Sequence, residues 1–147
     1  MKIFVGSDHN GYSLRARIAD HLKQLGYEVG DEGDSRPEPN DDYPIFASRV
    51  VHAMRAEGNE SFGILVCGSG QGMCMAANRF KGIRAALGYD RESARSSRND
   101  DDSNILCLPA RTLNDEDALA IVDMWLQTPF AKAARFNRRL IEMDELG

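Results

Sequence analysis

Cys67 ends an apolar run and is followed by a glycine at every second position in ILVCGSGQGMCMAAN. A thiol beside glycine-rich backbone is suited to proton abstraction or nucleophilic attack, because Gly68, Gly70 and Gly72 let amide groups come close to a ligand. With Ser69 and Gln71 the loop reads as a nest of N–H groups opening a helix. Such a nest fits an oxyanion or a developing enediolate, and the same helix start favours a thiolate at Cys67. A tight strand-to-helix turn around a packed thiol accounts for these residues equally well. The loop lacks the glycine spacing of a dinucleotide fingerprint, and no lysine follows as a P-loop requires. A cysteine-phosphatase loop would carry arginine where Met73 stands.

Two further groups could do chemistry. Asp8 and His9, in GSDHNG, set a carboxylate beside an imidazole after the first apolar run. A lone aspartate at such a place is usually a turn or cap residue. The acidic pair that would precede a phosphoacceptor aspartate is absent from MKIFVG. His21 and His52 fall in helical stretches and read as surface residues. Near the C-terminus, FAKAARFNRRL holds Lys132, Arg135, Arg138 and Arg139 with no acidic residue, in a chain of net charge −5. Glu142 can pair with Arg138 or Arg139, but Arg135 has no acidic neighbour four residues away. Arg135 and Arg139 share a helix face, where like charges repel unless an anion answers them, so the pair suits a phosphate.

These groups need a scaffold. The 147 residues, 42% hydrophobic, suit one domain over 1–147, and the acidic balance argues against nucleic-acid binding. The N-terminal apolar run is too short for a signal peptide or a membrane span, which leads to the expectation of a soluble cytoplasmic protein. Cys74 and Cys107 lack metal-ligand spacing and read as buried reduced thiols. Hydrophobic patterning predicts strands over 2–6, 27–30, 62–67, 83–87 and 104–108. Helices are expected between them: up to Gly26, from Pro44, from Met73, over 91–98, around Leu119, Val122 and Trp125, and over 130–146. This alternation predicts a three-layer α/β/α domain with a five-stranded parallel sheet, Rossmann-like or flavodoxin-like. With strand order 2-1-3-4-5 the crevice lies between strands 1 and 3, whose carboxyl ends carry GSDHNG and CGSGQG. An apolar stripe of Phe136, Leu140 and Met143 suggests that the C-terminal helix docks on a core or a partner subunit.

At the level of whole motifs, GSDHNGYSLR, DYPIFA, ILVCGSGQGMCMAAN with GIRAAL, SNILCLPAR and ARFNRR together resemble the type B ribose-5-phosphate isomerases, a family that includes the galactose-6-phosphate isomerase subunits. The resemblance spans nearly the whole chain. It implies aldose–ketose isomerisation of a sugar phosphate, without metal or other cofactor. It also implies a homodimer, or a tetramer built from it, with active sites at the subunit interface. By the same resemblance Cys67 is the base, and Ser69 hydrogen-bonds a moving hydroxyl proton. Gly68, Ser69, Gly70, Gln71 and Gly72 bind the enediolate, while Asp8, His9 and Tyr43 contact the substrate. Arg111, Arg135 and Arg139 fall at phosphate or substrate positions.

One departure stands out. In the loop before strand 5 the family commonly carries a ring-opening histidine followed by asparagine, and here those places hold Asp100 and Asp101 in RNDDDSN. Asp100 is therefore the candidate for assisting ring opening from the neighbouring subunit, and Asp101 for contacting the sugar. A solvated turn is the plain alternative for this acidic run. The expected substrate is ribose 5-phosphate, with a hexose 6-phosphate of allose or galactose type as the alternative in the same class. A non-catalytic sugar-phosphate-binding module is the alternative outside it.

Overall fold

The computed structural model describes residues 1–58 and 60–147. Among the described residues five strands form one wholly parallel sheet: β1 (Lys2–Ser7), β2 (Glu28–Asp31), β3 (Phe62–Cys67), β4 (Ala85–Leu87) and β5 (Ile105–Pro109). Six α-helices of the same residues connect and flank them: α1 (Tyr12–Gln24), α2 (Tyr43–Glu57), α3 (Gln71–Ala77), α4 (Arg91–Asp101), α5 (Asp115–Gln127) and α6 (Ala134–Asp144). Among the described residues no helix is long and apolar enough to cross a membrane.

Period-two alternation in the strands builds two cores. Ile64 and Val66 point to the face covered by α1, α4 and α5, where Trp125 and Ile18 are fully buried. Leu65 and Cys67 point to the other face, under α2 and α3, among Phe46, Val50 and Met73. The three-layer architecture is therefore the expected one. The strand order is β2-β1-β3-β5-β4, so the expected order 2-1-3-4-5 is corrected at its end. The reason is apolar content: ILCLP is buried at every position and takes the interior place, whereas the three half-buried residues of β4 suffice for an edge.

Helix boundaries differ from expectation where backbone conformation intervenes. The expected helix over 130–146 begins only at Ala134, because Lys132 adopts a left-handed backbone at φ 58° and the Ala131 N–H donates to the Asn99 carbonyl. α4 runs on to Asp101, which puts Asp100 and Asp101 in its last turn rather than in a loop. On α6 the apolar stripe is only partly covered: Phe136 is buried, Leu140 half-buried and Met143 exposed, and Ile141 beside the stripe and Leu146 just past the helix are exposed as well.

The crevice between β1 and β3 is held closed at one place by a glycine. A one-turn 3₁₀ helix over His9–Gly11 lies against β3, and a Cβ on Gly11 would sit 2.7 Å from the Val66 carbonyl oxygen. Backbone cannot yield there as a flexible side chain could. Gly11→Ala is expected to lower stability by about 1–3 kcal/mol, read as a lower urea midpoint with an unchanged slope.

Candidate active site

Three strand ends meet in level register. Ser7 of β1 pairs with Val66 of β3, and Cys67 pairs with Pro109 of β5, so the loops after β1, β3 and β5 open side by side. The strand-order correction matters here, because it makes the loop after β5 a direct neighbour of the Cys67 loop. The Ala110 N–H donates to the Cys67 carbonyl at 2.9 Å, and the Arg111 N–H donates to the Gly68 carbonyl at 3.0 Å.

Cys67 is buried, and its sulfur accepts the Gly70 N–H at 3.2 Å. Gly70 reaches that position with φ 74°, a left-handed backbone that other residues adopt at a cost. The two readings of the motif therefore both describe part of it: the thiol is packed at the top of the α2/α3 layer, and an amide of the loop is aimed at its sulfur. The nest is also less open than the glycine spacing suggests. Gly70 donates to the sulfur and the Gln71 N–H to Ser69 Oγ at 3.2 Å, which commits two of its amides internally. Ser69 is exposed, and its hydroxyl proton stays free to move.

Neighbouring side chains close on this loop. A Cβ on Gly68 would lie 2.9 Å from Arg111 Cζ, and one on Gly72 would lie 2.6 Å from Tyr43 Cζ, so the guanidinium and the phenol ring pack against bare backbone. Asp8 is buried, and its carboxylate accepts the Asn10 N–H, capping the 3₁₀ turn as the plain reading expected. His9 donates from its main chain to Asp41 Oδ1 at 2.9 Å, and its Nδ1 lies 2.8 Å from the same oxygen. Asp8, His9 and Asp41 each offer one atom within 4.8 Å of the others, a set that could face a cation, yet the direct contact between His9 and Asp41 occupies the space between two of them.

Asp41 and Arg15 escaped the sequence reading. Arg15 is buried on α1 and donates to Ser7 Oγ at 3.2 Å and to the Asp34 carbonyl at 2.8 Å. Its Nε approaches Asp31 Oδ1 at 3.2 Å without hydrogen-bond alignment. The run DEGDSRPEPNDDYP reads as an acidic connection, and only the doubled aspartate before a helix start hinted that one of the two had another partner.

Cys74 and Cys107 behave as structural thiols. Burial and the neighbouring Cys74 push the Cys107 thiol well up, and the Cys107 hydrogen bond pulls Cys74 down. Cys74 is only half-buried and its thiol lies 3.3 Å from the Ala85 carbonyl, a correction to the expectation that both are buried.

The remaining candidates lie elsewhere in the chain. Asp100 and Asp101 precede β5, so they sit at its amino end, whereas Cys67 and Arg111 sit at the carboxyl ends. A five-residue strand separates the two levels by roughly 15 Å. Arg135 and Arg139 are exposed on α6, which packs on α4 at that same amino end. Arg135 stacks over Phe136 with 4.4 Å from Cζ to the ring centroid, and Arg138 approaches Glu142 at 3.7 Å. One chain therefore brings Asp8, His9, Tyr43, Cys67, the glycine loop and Arg111 together, but not Asp100, Asp101, Arg135 or Arg139.

Comparison with known proteins is consistent along the whole chain. Residues 3–143 match the family described as Ribose/Galactose Isomerase. Ribose-5-phosphate isomerase B of Escherichia coli is 44% identical over 139 residues, covering 95% of this chain and 91% of that protein. A ribose 5-phosphate isomerase of Thermotoga maritima superposes with a TM-score of 0.92 at 42% identity, covering 99% of this chain and 98% of the other. Ribose-5-phosphate isomerase B of Mycoplasma genitalium, solved with bound ribulose-5-phosphate, gives 0.93 at 39% identity over 97% of this chain and 93% of the other.

At the α4 end, partial burial and the neighbouring Asp100 raise the Asp101 carboxyl above its ordinary range, against a lowering pull from Arg139. A carboxyl raised by folding destabilises the protein once pH exceeds its titration range, and the penalty vanishes when it is protonated in both states. Asp101→Asn is therefore expected to raise Tm slightly at neutral pH and to leave it unchanged below the usual carboxylate range, as checked by thermal melts at both pH values.

Proposed function

The chain belongs to the ribose/galactose isomerase family, and on that premise we propose how its residues divide the work of isomerisation. The enzyme is an aldose–ketose isomerase converting ribose 5-phosphate to ribulose 5-phosphate. The observation that carries the assignment of roles is the Cys67 sulfur, set at a strand end and met by the Gly70 amide, in a glycine loop against which Arg111 and Tyr43 pack.

Cys67 as thiolate removes the C2 proton of the open-chain aldose and returns it to C1. The intermediate is a cis-enediolate, whose charge faces the uncommitted amides of the loop over 68–72. A hydroxyl proton moves from O2 to O1, with the Ser69 hydroxyl as its relay. No redox partner is required, since the two carbons exchange oxidation levels internally. Asp8, His9 and Tyr43 hold the sugar, and Arg111 adds positive charge at the same mouth.

The phosphate clamp of Arg135 and Arg139 comes from a second copy of the chain. Their place at the amino end of the sheet keeps them from their own Cys67, and the uncovered apolar residues of α6 support docking on a partner. The same copy supplies Asp100, whose carboxylate accepts from Asn99 Nδ2 at 2.7 Å, and Asp101. We read the protein as a single-domain cytoplasmic homodimer with shared sites. Acidic groups where a ring-opening histidine is usual favour testing hexose 6-phosphates beside pentose phosphates.

Cys67→Ala is expected to lower ribulose 5-phosphate formation by roughly 10²- to 10⁴-fold while phosphate-dependent binding persists. Retained turnover removes Cys67 from the role of base. Mixing refolded Cys67→Ala with Arg135→Ala/Arg139→Ala chains should restore about one quarter of the wild-type rate, because mixed dimers carry one intact site of two. No recovery would mean that base and clamp belong to one chain.

A further inference from the structure

The acidic connection between β2 and α2 reaches back to the mouth of the sheet at one residue, Asp41. Its Oδ1 accepts the His9 main-chain N–H at 2.9 Å and lies 2.8 Å from the imidazole Nδ1 of the same residue. The Asp41 side chain is 11% exposed and the His9 ring 34%, so the contact is sheltered from water on the carboxylate side while the ring keeps an open edge.

Local structure does not explain this use of the carboxylate. Two aspartates precede α2; Asp42 is its N-cap and makes no side-chain cap bond, and Asp41 turns away to His9. Nor is the contact required to hold the connection in place. Arg15 donates to the Asp34 carbonyl, Tyr12 Oη donates to the Ser35 carbonyl at 2.7 Å, and Arg49 approaches Asp34 Oδ1 at 3.3 Å, all independently of His9. Asp8 offers a second carboxylate atom within 4.8 Å, so the imidazole has two acidic neighbours competing for it.

Resting on the isomerase reading above, we propose that Asp41 is a positioning residue: it fixes His9 in the Nδ1–H tautomer and so leaves Nε2 as the nitrogen offered to the substrate. A carboxylate only accepts hydrogen bonds, so the nitrogen facing it must carry the hydrogen. In the neutral ring Nε2 is then an acceptor, matched to a sugar hydroxyl rather than to a phosphate oxygen. Without Asp41 the ring can turn toward Asp8 and present the wrong nitrogen.

Two measurements on the full chain test this. Long-range ¹⁵N–¹H spectra of histidine-labelled protein, with His9→Gln assigning one of the three histidines, should show Nδ1–H for His9 in the wild type and lose that preference in Asp41→Ala. In steady-state kinetics with ribose 5-phosphate, Asp41→Ala and His9→Ala should each lower kcat/KM by roughly 10- to 100-fold, and the double variant should be no worse than His9→Ala alone. Asp41→Asn, which keeps an acceptor oxygen, should recover most of the loss and guards against simple misfolding. An unchanged tautomer in Asp41→Ala, or losses that add in the double variant, overturns the assignment. A wild type that isomerises no sugar phosphate overturns the reading of function instead, and the tautomer still decides the role of Asp41.

Discussion

The level parallel pairing of β1, β3 and β5 is the constraint on which the site depends. Parallel strands hydrogen-bonded in register must end together, so Ser7, Cys67 and Pro109 hand their chains to loops that share one rim. The rim is rigid because the strands beneath it are buried on both faces. Gly11 lies flat on Val66 and the loop after β5 is bonded to the carbonyls of Cys67 and Gly68, which fixes each loop against its neighbour. Displacing β3 by one residue would turn the sulfur to the opposite face of the sheet.

Within that rim, glycines and large side chains work as pairs. Gly68 lets the Arg111 guanidinium lie on backbone, and Gly72 does the same for the Tyr43 ring. The alternating glycines thus serve two ends: they bend the chain so that an amide meets the sulfur, and they make room for the groups that surround it. A positive charge and a phenol therefore border the same short loop whose Gly70 amide meets the thiol.

The remaining candidate residues sit at the far end of the same sheet. α4 and α6 gather Asp100, Asp101, Arg135 and Arg139 at the amino end of β5, with Arg98 buried beneath them against Phe62 and Trp125. A single parallel sheet cannot fold its two ends onto each other. On the reading proposed above, a second copy resolves the geometry, and the exposed apolar residues of α6 are the price of leaving that surface ready.

Much of this was legible in the sequence. The short apolar runs placed β1 and β3 to within a residue. The CGSGQG and SDHNG loops announced themselves by composition, because close backbone approach demands glycine and polar groups stand out at the end of a buried strand. GIRAAL and NILCL were both recognisable as strands, but their order was not, since adjacency in a sheet is decided by which strand needs burial on both sides. Asp41 was hidden for a related reason: its partner His9 lies 32 residues away, and nothing local in NDDYP marks a bond made across the fold. Residue types and spacing by themselves determined the elements and the kind of chemistry. Only the tertiary structure decided which candidates meet, because hydrophobic periodicity is a property of neighbours along the chain, whereas a site is assembled from neighbours in space.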